Sequence, residues 1–128
     1  MLLIYLNENG EPNDAQRMKC YEDSAAFCRQ LAAQGKFVHA APLHPTSTAT
    51  SVRASAGKRL VTDGPFAETR EQLGGFFLIN AANLDEAIDI ARQVPAGQWG
   101  TVEIRPVVEI SGLPETENVD LAASRSTN

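Results

Sequence analysis

At 128 residues the chain suits one domain with its own core and is too short for two. Hydrophobic content of 43% and charged content of 21% are those of an ordinary globular protein. A net charge of −5 with a pI near 4.9 argues against a non-specific nucleic-acid binder, which carries a basic face. No apolar run approaches the roughly 20 residues that cross a bilayer, so no membrane span is expected. Residues 1–6 are apolar but lack a preceding basic region and run straight into Asn7 and Glu8. They predict a central strand covered on both faces rather than a signal peptide.

Residues 7–13 form a loop by turn chemistry, after which Asn13 or Asp14 can cap a helix. Its apolar residues Met18, Tyr21, Ala25, Cys28 and Leu31 recur at three- and four-residue steps, and Gly35 supplies the left-handed stop. Cys20 and Cys28 fall on this helix, eight residues and about 12 Å apart, too far for a disulfide. Two unpaired thiols fit a reducing cytoplasm, and no metal-ligand cluster accompanies them.

Residues 36–41 predict a second strand, stopped at Pro42-Leu43-His44-Pro45. Residues 48–53 and 58–62 flank a turn at Ser55-Ala56-Gly57, the pattern of a hairpin placed at an edge or rim. Residues 75–79 predict a strand. Asn83 with Glu86 opens a second helix with a stripe of Leu84, Ala87, Ile88, Ala91 and Val94, which Pro95 closes. Residues 101–110 predict the last strand, with a bulge or edge at Pro106. Residues 111–128 are polar and aperiodic and read as a flexible tail.

With the hairpin set aside the order is βαββαβ, a ferredoxin-like α+β arrangement occupying residues 1–110. Two helices cover one face of such a sheet. The other face then calls for a second copy, with Phe76 or Phe77 contributing apolar surface, so a homodimer with its sheets face to face is expected.

Residues 62–77 hold the densest backbone chemistry in the chain. Asp63-Gly64-Pro65-Phe66-Ala67-Glu68-Thr69-Arg70-Glu71 resembles the DGPFAETKE signature of DGPF proteins in the YciI-like, YCII-related superfamily, with Arg70 where that pattern has Lys. The resemblance continues through residues 72–77 and 100–106. It implies a ferredoxin-like domain with an inserted hairpin, pairing as a dimeric α/β barrel. The superfamily is associated with a His–Asp acid/base pair, and the matching positions here hold Ser24 and Ala33.

Among the residues themselves, Asp63 is either an Asx-type turn former or a carboxylate base at the barrel mouth. Glu68 is a surface charge or a second carboxylate, and Arg70 a solvated cation or an anion-binding group. His44, held between prolines, has a side chain suited to proton transfer near neutrality. Tyr5 is a core residue or a hydroxyl aimed into a cavity. Asp63, Glu68 and His44 are thus the candidate acid/base groups, and Tyr5 and Arg70 the candidate ligand contacts. No nucleophile elbow, P-loop, dinucleotide fingerprint or zinc pattern occurs, and no cofactor is expected. These features admit two functions: a small-metabolite binder with weak acid/base chemistry, or a regulatory protein partnered with an extracytoplasmic-function sigma factor. The second follows from the resemblance alone.

Overall fold

The computed structural model describes residues 1–114. β1 (Leu2–Leu6) buries Leu2 and Ile4 on one face, whereas Leu3 and Tyr5, on the other, are only partly covered. The strand is therefore not sheathed on both sides as its apolar run suggests. Side chains alternate along a strand, and both helices among the described residues pack on the Leu2 face.

α1 (Asp14–Ala33) opens with a capping box. The Gln16 N–H donates to Asn13 Oδ1 at 2.9 Å, and the Asn13 N–H donates to Gln16 Oε1 at 2.8 Å. Gly35, at φ 72°, turns the chain out of the helix. The buried residues are Cys20, Phe27 and Leu31, while Met18 and Tyr21 of the expected stripe are exposed. Both sets keep helical spacing. The choice between them is made by Phe27, whose ring meets that of Phe77 edge-on with centroids 6.1 Å apart.

β2 (Phe37–Pro42) and β5 (Gln72–Ile79) join β1 and β6 (Thr101–Ile104) in one antiparallel sheet of order β2-β5-β1-β6. With α1 and α2 (Leu84–Ala91), this is an α+β architecture consistent with the ferredoxin-like fold. The register sets Phe77 opposite Leu2 and Phe76 opposite Leu3. Phe77 therefore lies in the core, 4% exposed, and Phe76 on the open face. A register shift between Ile4 and Tyr5 falls opposite Gly74.

α2 is capped by Asn83, whose Oδ1 accepts from the Glu86 N–H at 2.9 Å. Ala87 and Ile90 are its buried residues, while Leu84 faces solvent. The helix stops at Ala91, so Pro95 does not close it but opens a 3-10 turn (Pro95–Gln98), with Val94 buried just before. β6 ends at Ile104, short of the strand expected through residue 110. The Arg105 N–H still donates to the Met1 carbonyl at 2.8 Å, and Pro106 then has no N–H to continue the ladder.

β3 (Thr50–Ser55) and β4 (Lys58–Asp63) pair with each other and with no other strand among the described residues. Their two-residue connection places Ala56 at φ 49° and Gly57 at φ 78°. Positive φ at both central positions is what a tightly twisted hairpin demands. The hairpin forms a two-stranded sheet of its own, unpaired with the four-stranded sheet among the described residues. Of the expected tail, residues 111–114 are exposed and the remainder lies outside the described residues.

Candidate functional site

A cleft of ≈ 600 Å³ opens between α1 and the helix-facing side of the sheet. Ile4, Leu6, Gly75 and Phe77 form its floor, and Cys20, Tyr21, Ser24 and Cys28 its helical wall. The turn after β2 closes a third side with Leu43, His44 and Pro45. Its lining is mainly apolar, with a few polar groups at the mouth, the composition typical of small-molecule sites.

Two loops meet at that mouth through Glu8. The Thr46 N–H donates to Glu8 Oε1 at 2.8 Å, and the Thr46 hydroxyl donates to Glu8 Oε2 at 2.6 Å. The Glu8 N–H donates in turn to Gln72 Oε1 at 2.9 Å. One residue thus ties the β1–α1 loop to the segment after β2 and to the start of β5. Nothing in the local sequence announces this tie, since its partners stand 38 and 64 residues away. Nearby, Arg17 is engaged by Asp14 at 2.9 Å.

Ser24 lies on the cleft wall with its Oγ 3.9 Å from Cys20 Sγ. Burial pushes the Cys20 thiol up from its ordinary pKa, reinforced by Asp23 and opposed by the contact with Ser24. Burial pushes Cys28 up as well, against the lowering influence of Arg29. Neutral thiols are weak nucleophiles, so these sulfurs serve as apolar wall. Both are expected to react with iodoacetamide at pH 7 more slowly than a free cysteine model compound. Labelling as fast as that compound would show that the cleft exposes thiolate. Because the folded pKa is raised, reactivity should climb only at a pH above that at which unfolded cysteine becomes reactive.

Of the five residues singled out in the sequence, the structure sets His44 on the cleft wall and the other four outside its lining. Asp63 is the last residue of β4, opposite Thr50 and exposed. Glu68 and Arg70 are exposed in the connection from β4 to β5, and Tyr5 lies on the open face of the sheet. Among the described residues, no hydrogen bond or ion pair engages the side chains of Asp63, Glu68 or Arg70. The neighbouring Glu71 accepts from the Thr101 hydroxyl at 2.7 Å. No group of three or more His, Cys, Asp or Glu side chains suited to a metal ion occurs among the described residues. Among those residues no helix is long and apolar enough to cross a membrane.

An uncharacterised protein from Rhizobium meliloti (strain 1021) is 47% identical over 87 residues, which cover 66% of this chain and 70% of that protein. The model of the YCII-related domain matches residues 1–111, a span containing every strand and helix described above. The chain therefore belongs to the YCII-related domain family.

Proposed function

We propose that this protein is a homodimer of the DGPF type that binds a small, mainly apolar metabolite in the cleft between α1 and the sheet. The observation that carries the reading is the cleft itself: ≈ 600 Å³ with an apolar floor, and His44 and Ser24 on its walls. The subtype rests on residues 63–71, where eight of the nine positions repeat the DGPFAETKE pattern. His44 supplies a titratable group beside a bound ligand, in keeping with weak acid/base chemistry.

The uncovered sheet face supports the dimer. Leu3, Tyr5, Ala41, Phe76 and Leu78 form the apolar centre of the sheet face that neither helix covers.

The test is a thermal-shift screen of a metabolite panel on the wild-type chain and on Ser24→Trp, which puts an indole into the cleft. Compounds that stabilise the wild type should lose at least tenfold in affinity for the variant. Equal binding to a folded Ser24→Trp would place the ligand elsewhere. Asp63→Asn separates the acid/base candidates. Loss of binding or turnover at unchanged melting temperature would give Asp63 a part in the site, and loss of the fold would make it a turn residue.

A further inference from the structure

We propose that the cleft takes a monocarboxylate: an apolar acid whose carboxylate pairs with Arg17 at the mouth and whose body lies along α1 toward Phe77. This rests on the cleft reading above and adds to it the chemical class of the ligand.

Hydrogen-bonding capacity around the cleft is lopsided. The side-chain acceptors at the mouth already accept. Glu8 takes both Thr46 donors on its two oxygens, Asn7 Oδ1 takes the Asn9 N–H at 3.0 Å, and Gln72 Oε1 takes the Glu8 N–H. The donors are in the opposite state. Among the described residues no hydrogen bond engages the Tyr21 hydroxyl or the His44 ring, and the Ser24 hydroxyl touches only Cys20 Sγ at 3.9 Å. A ligand that fits this wall brings acceptors rather than donors. An ionised carboxylate is acceptor-only.

Charge points the same way. Of the Asp, Glu, Lys and Arg side chains among the described residues, Glu8 and Arg17 line the cleft. Glu8 is held by Thr46, which leaves Arg17 to meet a charge from outside. Arg17 Nη1 meets Asp14 at 2.9 Å, but the Asp14 side chain is 100% exposed, and such surface pairs hold weakly in water. Arg17 Nη2 reaches the Pro12 carbonyl only at 3.5 Å. A planar guanidinium so loosely engaged suits a bidentate carboxylate. One guanidinium near the Glu8 charge balances a single negative charge, which favours a carboxylate over a dianionic phosphate.

Helical spacing sets the size. Arg17, Tyr21, Ser24 and Cys28 follow one another at three- and four-residue steps along one side of α1. At 1.5 Å per residue, Arg17 to Ser24 spans about 10 Å, and Cys28 lies about 6 Å further. Past Ser24 the lining is apolar, with Cys28, Phe77 and Ile4. An extended acid of about eight carbons matches the first of these distances.

Octanoate and octanamide share a tail and differ in the charge of the head. Both are titrated calorimetrically into the full chain, with octyl phosphate alongside, and again into Arg17→Gln, Asp14→Asn and Ser24→Trp. Octanoate should bind the wild type about tenfold more tightly than either comparison compound. Arg17→Gln should remove that advantage and leave octanamide binding unchanged, with circular dichroism intact because Arg17 is a half-exposed residue. Asp14→Asn removes the competing carboxylate and should tighten octanoate about twofold. Octanoate affinity unmoved by both variants would take the carboxylate off Arg17 and refute the proposal. Equal binding of octanoate and octanamide, lost in Ser24→Trp, would overturn the acid and leave the cleft reading standing. A preference for octyl phosphate would do the same. Octanoate binding that a folded Ser24→Trp does not disturb would overturn both. No octanoate binding at millimolar concentration would refute the acid, and the metabolite panel judges the cleft separately.

Discussion

Gly100→Ala should lower stability by about 3 kcal/mol, read as a fall in the urea midpoint at unchanged slope. Gly100 leads into β6 where the chain runs closest to β1. A Cβ built there overlaps the Tyr5 carbonyl oxygen, well inside van der Waals contact, and falls 2.9 Å from Leu6 Cδ2. The obstacle is largely backbone and cannot rotate away. Relief requires β6 to move off β1, at the expense of the pairing that sets Tyr5 opposite Thr101 and Ile4 opposite Val102. Backbone torsion is not the issue, since Gly100 is not among the glycines at positive φ. A loss below about 0.5 kcal/mol would show that β6 tolerates displacement. The same movement would disturb Thr101 and its hydrogen bond to Glu71.

Much of the fold was legible because its signals are local. Asn13 and Asn83 cap helices through their own side chains, Gly35 stops one by its φ, and Ala56-Gly57 turns a hairpin within two residues. Where two helical stripes share the same spacing, sequence cannot choose. Met18 and Tyr21 fit the period as well as Cys20 and Phe27, and contact with Phe77 decides between them. The last strand was overextended because Val107, Val108 and Ile110 have high strand propensity, while the missing N–H of Pro106 acts only once a partner strand exists.

The site was less legible for a related reason. Asp63, Glu68 and Arg70 stand out through turn chemistry and charge, which report on the chain nearby. The cleft is assembled from segments far apart in sequence: β1, α1, the turn after β2, and β5. His44, which lines the cleft, stands out in the sequence because two prolines frame it. Glu8 was missed because its role exists only through Thr46 and Gln72. Ser24 belongs to no motif of its own, and its place on the wall comes from the packing of α1.

Phe76→Arg and Phe77→Ala should fail in opposite ways, although the residues are adjacent. Phe77 is 4% exposed and packs on Phe27, so truncating it should cost about 3–5 kcal/mol of folding stability. Phe76 lies on the open face, with the His39 ring at 5.7 Å, and no helix covers it. In one copy alone Phe76 is half-buried against His39, so an arginine there should cost about 1 kcal/mol of stability and leave the fold intact. In a face-to-face dimer the same change acts twice. Each copy loses an aromatic ring worth about 2–3 kcal/mol of burial and gains a cation with no partner. The dissociation constant should therefore rise at least a thousandfold, about 4 kcal/mol, and light scattering should report a folded monomer at micromolar concentration. A Phe76→Arg chain that remains dimeric would show that this face is not the interface, and one that unfolds would show that the face supports the monomer itself. The contrast with Phe77 makes the result specific, because the two side chains share a strand and differ only in the face to which alternation assigns them.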